Sequence, residues 1–134
     1  MRDTVSILLV EDDPDDCYLL KDALNRNGVK YNITEIGGGD KVLPYLKQCK
    51  ELPHVIVLDL NLPRMHGRDV LSLIKSELSL QNIPLMVLTT SNVPEDKVFC
   101  LALGANSFIT KPTTSEQFDT IIKNLVALAK EQTT

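Results

Sequence analysis

The chain lacks the cysteine pattern of a metal knuckle or a disulfide framework. Its three cysteines, Cys17, Cys49 and Cys100, are odd in number and show no C-x-x-C spacing. Such thiols read as small buried or half-buried side chains in a reducing compartment. The chain also lacks an excess of cations. Lys and Arg total 14 against 18 Asp and Glu, a formal net charge of −4. An acidic chain without clustered cations is not built to track a nucleic-acid backbone, so no direct nucleic-acid partner is expected. Long apolar runs are missing too. The segment after Met1-Arg2-Asp3-Thr4 is apolar for only about five residues, too short for a secretory signal. No run approaches the ~20 residues of a membrane span. A cytoplasmic location without membrane contact is the expectation. No G-x-G-x-x-G and no P-loop lysine occur, so Gly37-Gly38-Gly39 reads as a flexible turn rather than a phosphate cradle. Internal repeats and low-complexity linkers are absent as well.

What is present is an ordinary globular composition: 134 residues, 43% hydrophobic and 24% charged. That length suits one domain, here residues 1–134 with a core of about 5–130 and no output domain. The polar end, Glu131 to Thr134, is expected to fray. Five short runs stand out: Ile7 to Val10, Tyr31 to Ile36, Val55 to Leu58, Leu85 to Leu88 and Ser107 to Ile109. All but the second are nearly continuous in Val, Ile, Leu, Met or Phe, as strands buried on both faces are. Between and after them lie segments with apolar residues at helical spacing: Asp15 to Asn27, Asp40 to Lys50, Asp69 to Leu78, Asp96 to Leu103 and Glu116 to Lys130. Pro14 and Pro94 suit a first helical turn, Gly28 suits a left-handed C-terminal stop, and Thr114 or Ser115 suits an N-cap. Strand and helix alternate five times. This implies an α/β fold, a (βα)₅ doubly wound five-stranded parallel sheet with right-handed crossovers.

In such a sheet, ligands bind beyond the carboxyl ends of the strands. Glu11, Asp12 and Asp13 follow the first strand. Asp59 and Asn61 follow the third, Thr89, Thr90 and Ser91 the fourth, and Lys111 and Pro112 the fifth. Crowded carboxylates must be neutralised by a proton, a cation or a metal. Oxygen donors without His or Cys point to a hard ion, Mg²⁺, with Mn²⁺ able to substitute. A carboxylate between such an ion and an ammonium suits an aspartyl-phosphate.

These residues resemble a known family, the receiver domains of bacterial two-component systems. Val10-Glu11-Asp12-Asp13 resembles its acidic pair. Val57-Leu58-Asp59-Leu60-Asn61-Leu62-Pro63 with Gly67 resembles its phosphoacceptor segment, Val87-Leu88-Thr89-Thr90-Ser91 its switch hydroxyl, and Gly104 to Pro112 its last strand. Thr89 follows Asp59 by 30 residues and Lys111 follows Thr89 by 22, also as in that family. The wording around Glu11 to Asp16 and Asn61 to Arg68 is similar to the single-domain regulators that partner cyanobacterial and bacterial phytochromes.

The resemblance implies a flavodoxin-like sheet in the order 2-1-3-4-5. It implies Asp59 as phosphoacceptor and Asp12 as a direct Mg²⁺ ligand. Glu11 would act mainly through metal-bound water, and Asn61 would offer its backbone carbonyl. Lys111 would pair with the acceptor and then the phosphate, Thr89 and Phe108 would form the switch, and Pro112 would follow a cis bond. Asn61 and Ser91 flank the path of hydrolytic water and so are candidates for setting phosphate lifetime. The partner would be a sensor histidine kinase or phosphotransfer protein, with a phytochrome-type kinase among the options. A homodimer through the fourth helix, fifth strand and fifth helix is a further option. The protein would be a signalling switch, catalysing only its own phosphorylation and dephosphorylation.

Plainer readings stand beside these. Asp13 is either a third ligand or a loop carboxylate at a helix start. Asp15 and Asp16 read as solvent-facing partners of the helix dipole. His54 and His66 read as loop surface. An Mg²⁺-dependent phosphohydrolase would place a second Asp where Asn61 stands.

Overall fold

The computed structural model describes residues 4–131; residues 1–3 and 132–134, which include most of the tail expected to fray, lie outside the described residues. The elements are β1 (Val5–Val10), α1 (Pro14–Arg26), β2 (Tyr31–Ile36), a 3₁₀ turn (Gly39–Lys41), α2 (Val42–Gln48), β3 (Val55–Leu58), α3 (Gly67–Ser76), β4 (Leu85–Thr89), α4 (Pro94–Ala102), β5 (Ser107–Thr110) and α5 (Ser115–Glu131). All four strand pairings are parallel, and the sheet order is β2-β1-β3-β4-β5.

The continuous apolar runs explain why three strands are central. Alternate residues of one strand point to opposite faces. Leu8, Val10, Ile56 and Leu58 join Val42, Leu46, Val70, Leu71 and Ile74 in one core. Ile7, Leu9, Val55 and Val57 join Leu20, Leu24, Ile121 and Leu125 in the other. Thus α2, α3 and α4 cover one face, and α1 and α5 cover the other. Each fully buried Leu or Ile contributes roughly 1.5–3 kcal/mol of transfer free energy. The half-exposed β2 and β5 lie at the edges, as their weaker runs require.

Helix starts follow local chemistry. Asp13 caps α1, its side chain accepting from the Asp15 amide at 2.9 Å. Thr114 Oγ1 accepts from the Gln117 amide at 3.2 Å at the start of α5. Gly28, with φ +69°, takes the left-handed turn after α1. The second helix begins later than its apolar spacing suggests, because Gly39–Lys41 closes as a 3₁₀ turn first. Pro44 then falls in the first turn of α2, where its missing N–H has no intrahelical partner to lose.

One histidine departs from the surface reading, while His66 stays exposed as expected. His54 is buried; its Nδ1 accepts from the Ser6 amide at 2.9 Å, and its own amide donates to the Ser6 carbonyl at 2.8 Å. It pins the lead into β3 against β1. His66 caps α3, with Nδ1 accepting from the Arg68 amide at 3.1 Å. No helix among the described residues is long and apolar enough to cross a membrane.

Candidate phosphoacceptor site

Strand register brings the acidic residues together. Val10 pairs with Leu58, and the Asp59 amide donates to the Val10 carbonyl at 3.0 Å. Glu11 and Asp59 therefore leave adjacent strands side by side. Carboxylate oxygens of Glu11, Asp12 and Asp59 all lie within 4.8 Å of one another. Asp12 is exposed, while Glu11 and Asp59 keep only 6% and 4% of their surface. Three oxygens this close, one opening to solvent, fit a hard divalent cation better than a bare cluster of like charges.

Lys111 enters from the other side. Its amide donates to the Thr89 carbonyl at 2.7 Å, which fixes the end of β5 against β4. Its ammonium reaches Asp16 Oδ2 at 2.6 Å, Glu11 Oε1 at 2.7 Å and Asp59 Oδ2 at 3.3 Å. Burial by itself disfavours the ammonium. Hydrogen bonds to Asp16 and Glu11 and the charge of Asp59 outweigh it and hold the Lys111 pKa above the ordinary lysine value. For Glu11 the balance runs the other way. Burial pushes its carboxyl up to about 7, with the nearby Asp59 adding to the rise, while contacts with Lys111 and the Asp13 amide only partly oppose it. Removing a carboxylate of this kind from water costs more than one ion pair returns.

The hydroxyl side of the site is equally placed. Thr89 is fully buried, and its Oγ1 accepts from the Ser91 amide at 3.3 Å. The Asn61 amide donates to Asp59 Oδ1 at 3.4 Å, and its side-chain nitrogen donates to Thr90 Oγ1 at 3.3 Å. The Ser91 hydroxyl donates to Asp96 Oδ2 at 2.6 Å. Asp96 in turn pairs with Arg68 at 3.1 Å, whose guanidinium lies 4.3 Å from the Phe99 ring centroid. The β4–α4 loop is thereby tied to both α3 and α4. Phe108 is half-buried against the core under α2, α3 and α4.

Two expectations need correction. Pro112 does not follow a cis bond, since no cis peptide occurs among the described residues. Trans is the intrinsic preference of an X-Pro bond by about 0.5–1 kcal/mol, and the dipeptide Lys111-Pro112 carries nothing local that reverses it. Asp16 is not a solvent-facing dipole partner, because it holds Lys111. Asp16 precedes buried Leu20 by one helical turn, on the inward stripe of α1, a spacing that names no partner. Asp13 serves as a cap, as its plainer reading had it.

Gly67 supports the site from behind. A Cβ there would press on the Asp59 carbonyl and the Leu60 backbone, so α3 can begin directly under the Asp59 segment only with glycine. Gly67→Ala is expected to destabilise the protein by about 2 kcal/mol or more, the cost of overpacking against rigid backbone. Urea unfolding checks this. Unchanged stability would mean that the start of α3 gives way freely.

Residues 7–123 match the response regulator receiver domain. The chain is 36% identical over 110 residues to the response regulator Rcp1 of Synechocystis sp., covering 78% of this chain and 75% of that one. The crystal structure of the phosphorylated cyanobacterial phytochrome response regulator RcpA superposes with a TM-score of 0.86 at 34% identity, covering 98% of this chain and 97% of that one. The Mn²⁺-bound form of Rcp1 gives a TM-score of 0.80 at 31% identity over 90% of both chains. The sheet order and the parallel strand pairings agree with these likenesses, and the chain belongs to the response regulator receiver domain family.

Proposed function

We propose that this protein is a phosphorylation switch in which Asp59 accepts a phosphoryl group from a histidine kinase or phosphotransfer protein. The observation that carries the reading is the meeting of Glu11, Asp12, Asp59 and Lys111 at one end of the sheet. An Asp59 carboxylate oxygen attacks phosphorus as the bond to the donor breaks. Lys111, 3.3 Å from Asp59 Oδ2, neutralises charge on the phosphoryl oxygens. Glu11, Asp12, Asp59 and the Asn61 backbone carbonyl would hold Mg²⁺ or Mn²⁺. The bound ion supplies charge neutralisation that this acidic site lacks by itself.

The Thr89 hydroxyl then turns towards the phosphoryl group and gives up its contact with the Ser91 amide. Space vacated by Thr89 lets Phe108 move inward. The face of α4, β5 and α5 changes with it and is the surface for a partner or a second copy of the chain. Asn61 and Ser91 border the approach of water, which later hydrolyses the acyl phosphate. The likeness to Rcp1 and RcpA makes a phytochrome-type kinase the first partner to try.

Incubation with acetyl phosphate and Mg²⁺ is expected to add one phosphoryl mass to the intact protein, with no gain when the metal is chelated. A metal-independent gain, or none from acetyl phosphate, phosphoramidate or a kinase, would overturn the proposal.

A further inference from the structure

The Lys111 ammonium has three N–H groups, and three carboxylates surround it. The two short contacts, 2.6 Å to Asp16 and 2.7 Å to Glu11, leave Asp59 as the longest at 3.3 Å. Asp16 lies on the first turn of α1, outside the strand ends that carry the other site residues. That turn is fixed: Asp13 caps it, and Cys17 and Leu20 bury its inner face. Below the ammonium, Leu9, Leu20, Val57, Leu88 and Phe118 leave a gap of only about 10 Å³. A void of that size holds at most one water, so the lysine has no room to retract. Its position is set by which acids hold it.

We propose that Asp16 is a positioning residue for phosphoryl transfer, fixing the Lys111 ammonium from α1 so that its remaining N–H faces Asp59. The inference rests on the phosphoacceptor reading above and assigns Asp16 no contact with phosphate or metal. Asp16 is not among the oxygens that lie together as a cation site. Glu11 alone cannot do this work, because it is shared between the ammonium, the Asp13 amide and the acidic trio. Without the Asp16 charge, the ammonium moves toward Glu11 and no longer meets the charge developing beside Asp59.

The test uses the full chain and three proteins: wild type, Asp16→Asn and Asp16→Glu. Phosphorylation by phosphoramidate is timed by intact mass at saturating Mg²⁺ and donor, and Mg²⁺ affinity is measured separately by calorimetry. The isosteric Asp16→Asn is expected to slow the maximal rate by about tenfold, within the range that misplacing one group by about 1 Å produces. Its Mg²⁺ affinity is expected to stay within about threefold of wild type, the split that marks loss of an interaction made during transfer rather than in binding. Asp16→Glu, which keeps the charge on a longer arm, recovers part of the rate. A wild-type rate in Asp16→Asn overturns the inference. So does a rate loss that is matched by an equal loss of Mg²⁺ affinity, or one that Asp16→Glu does not relieve at all. Failure of the wild type to gain mass would instead sink the phosphoacceptor reading itself, so the two failures are told apart.

Discussion

Asp59→Asn is expected to abolish phosphorylation: no mass is gained under conditions that label the wild type. The amide keeps the shape of the side chain but loses the anionic oxygen that must attack phosphorus. It also removes one of three carboxylates from the cation site and one of three acids from Lys111. Fold should survive, because Asp59 sits among like charges and its neutralisation relieves Glu11 rather than stranding a cation. Lys111 retains Asp16 and Glu11. Intact mass spectrometry beside a thermal melt checks both halves. A variant that still gains one phosphoryl mass would place the acceptor elsewhere. A variant that fails to fold would show that Asp59 holds Lys111 more strongly than the 3.3 Å contact indicates.

The second large effect concerns pH. The Glu11 carboxyl titrates near 7 in the folded protein against 4.5 for an unperturbed glutamate. Between those values the folded state holds a proton that the unfolded state has lost. Stability therefore falls as pH rises through that window, and the cost is fully present above about 7. Two and a half pH units correspond to on the order of 3 kcal/mol. Groups whose carboxyls are lowered, such as Glu35 beside Lys21 and Asp96 beside Ser91 and Arg68, act at more acidic pH and leave the window clear. Urea unfolding of metal-free protein at pH 5 and pH 8 is the measurement, with Glu11→Gln as the comparison. Wild type should lose about 3 kcal/mol more than Glu11→Gln between the two. Mg²⁺ favours the ionised carboxylate, so it should stabilise wild type more at pH 8 than at pH 5. Parallel curves for the two proteins would contradict the burial argument for Glu11.

Much of this was legible in the sequence. Val55-Ile56-Val57-Leu58 and Leu85-Met86-Val87-Leu88 announce central strands because burial on both faces leaves no polar alternation. Once those strands are parallel neighbours, Glu11, Asp59, Thr89 and Lys111 must emerge at the same edge, and they do. What depends on three-dimensional packing was not legible. Asp16 has the ordinary spelling of a first-turn helix acid, and only the reach of the Lys111 side chain to α1 makes it a partner for that lysine. His54 lies in a connection that looks like surface, until the β1–β3 pairing hands its ring the Ser6 amide. The 3₁₀ start before α2 is set by chain path rather than by local residue type.

The central claim is that Asp59 itself carries the phosphoryl group, and trapping the acyl phosphate tests it most directly. The protein is phosphorylated with acetyl phosphate and Mg²⁺ and then treated with borohydride, which reduces an aspartyl phosphate to homoserine and releases phosphate. Peptide fragmentation then locates the change. Homoserine at position 59, and at no other carboxylate, is the predicted result. Reduction at Glu11, Asp12, Asp13 or Asp16, or a phosphoryl group that resists borohydride, would contradict the account.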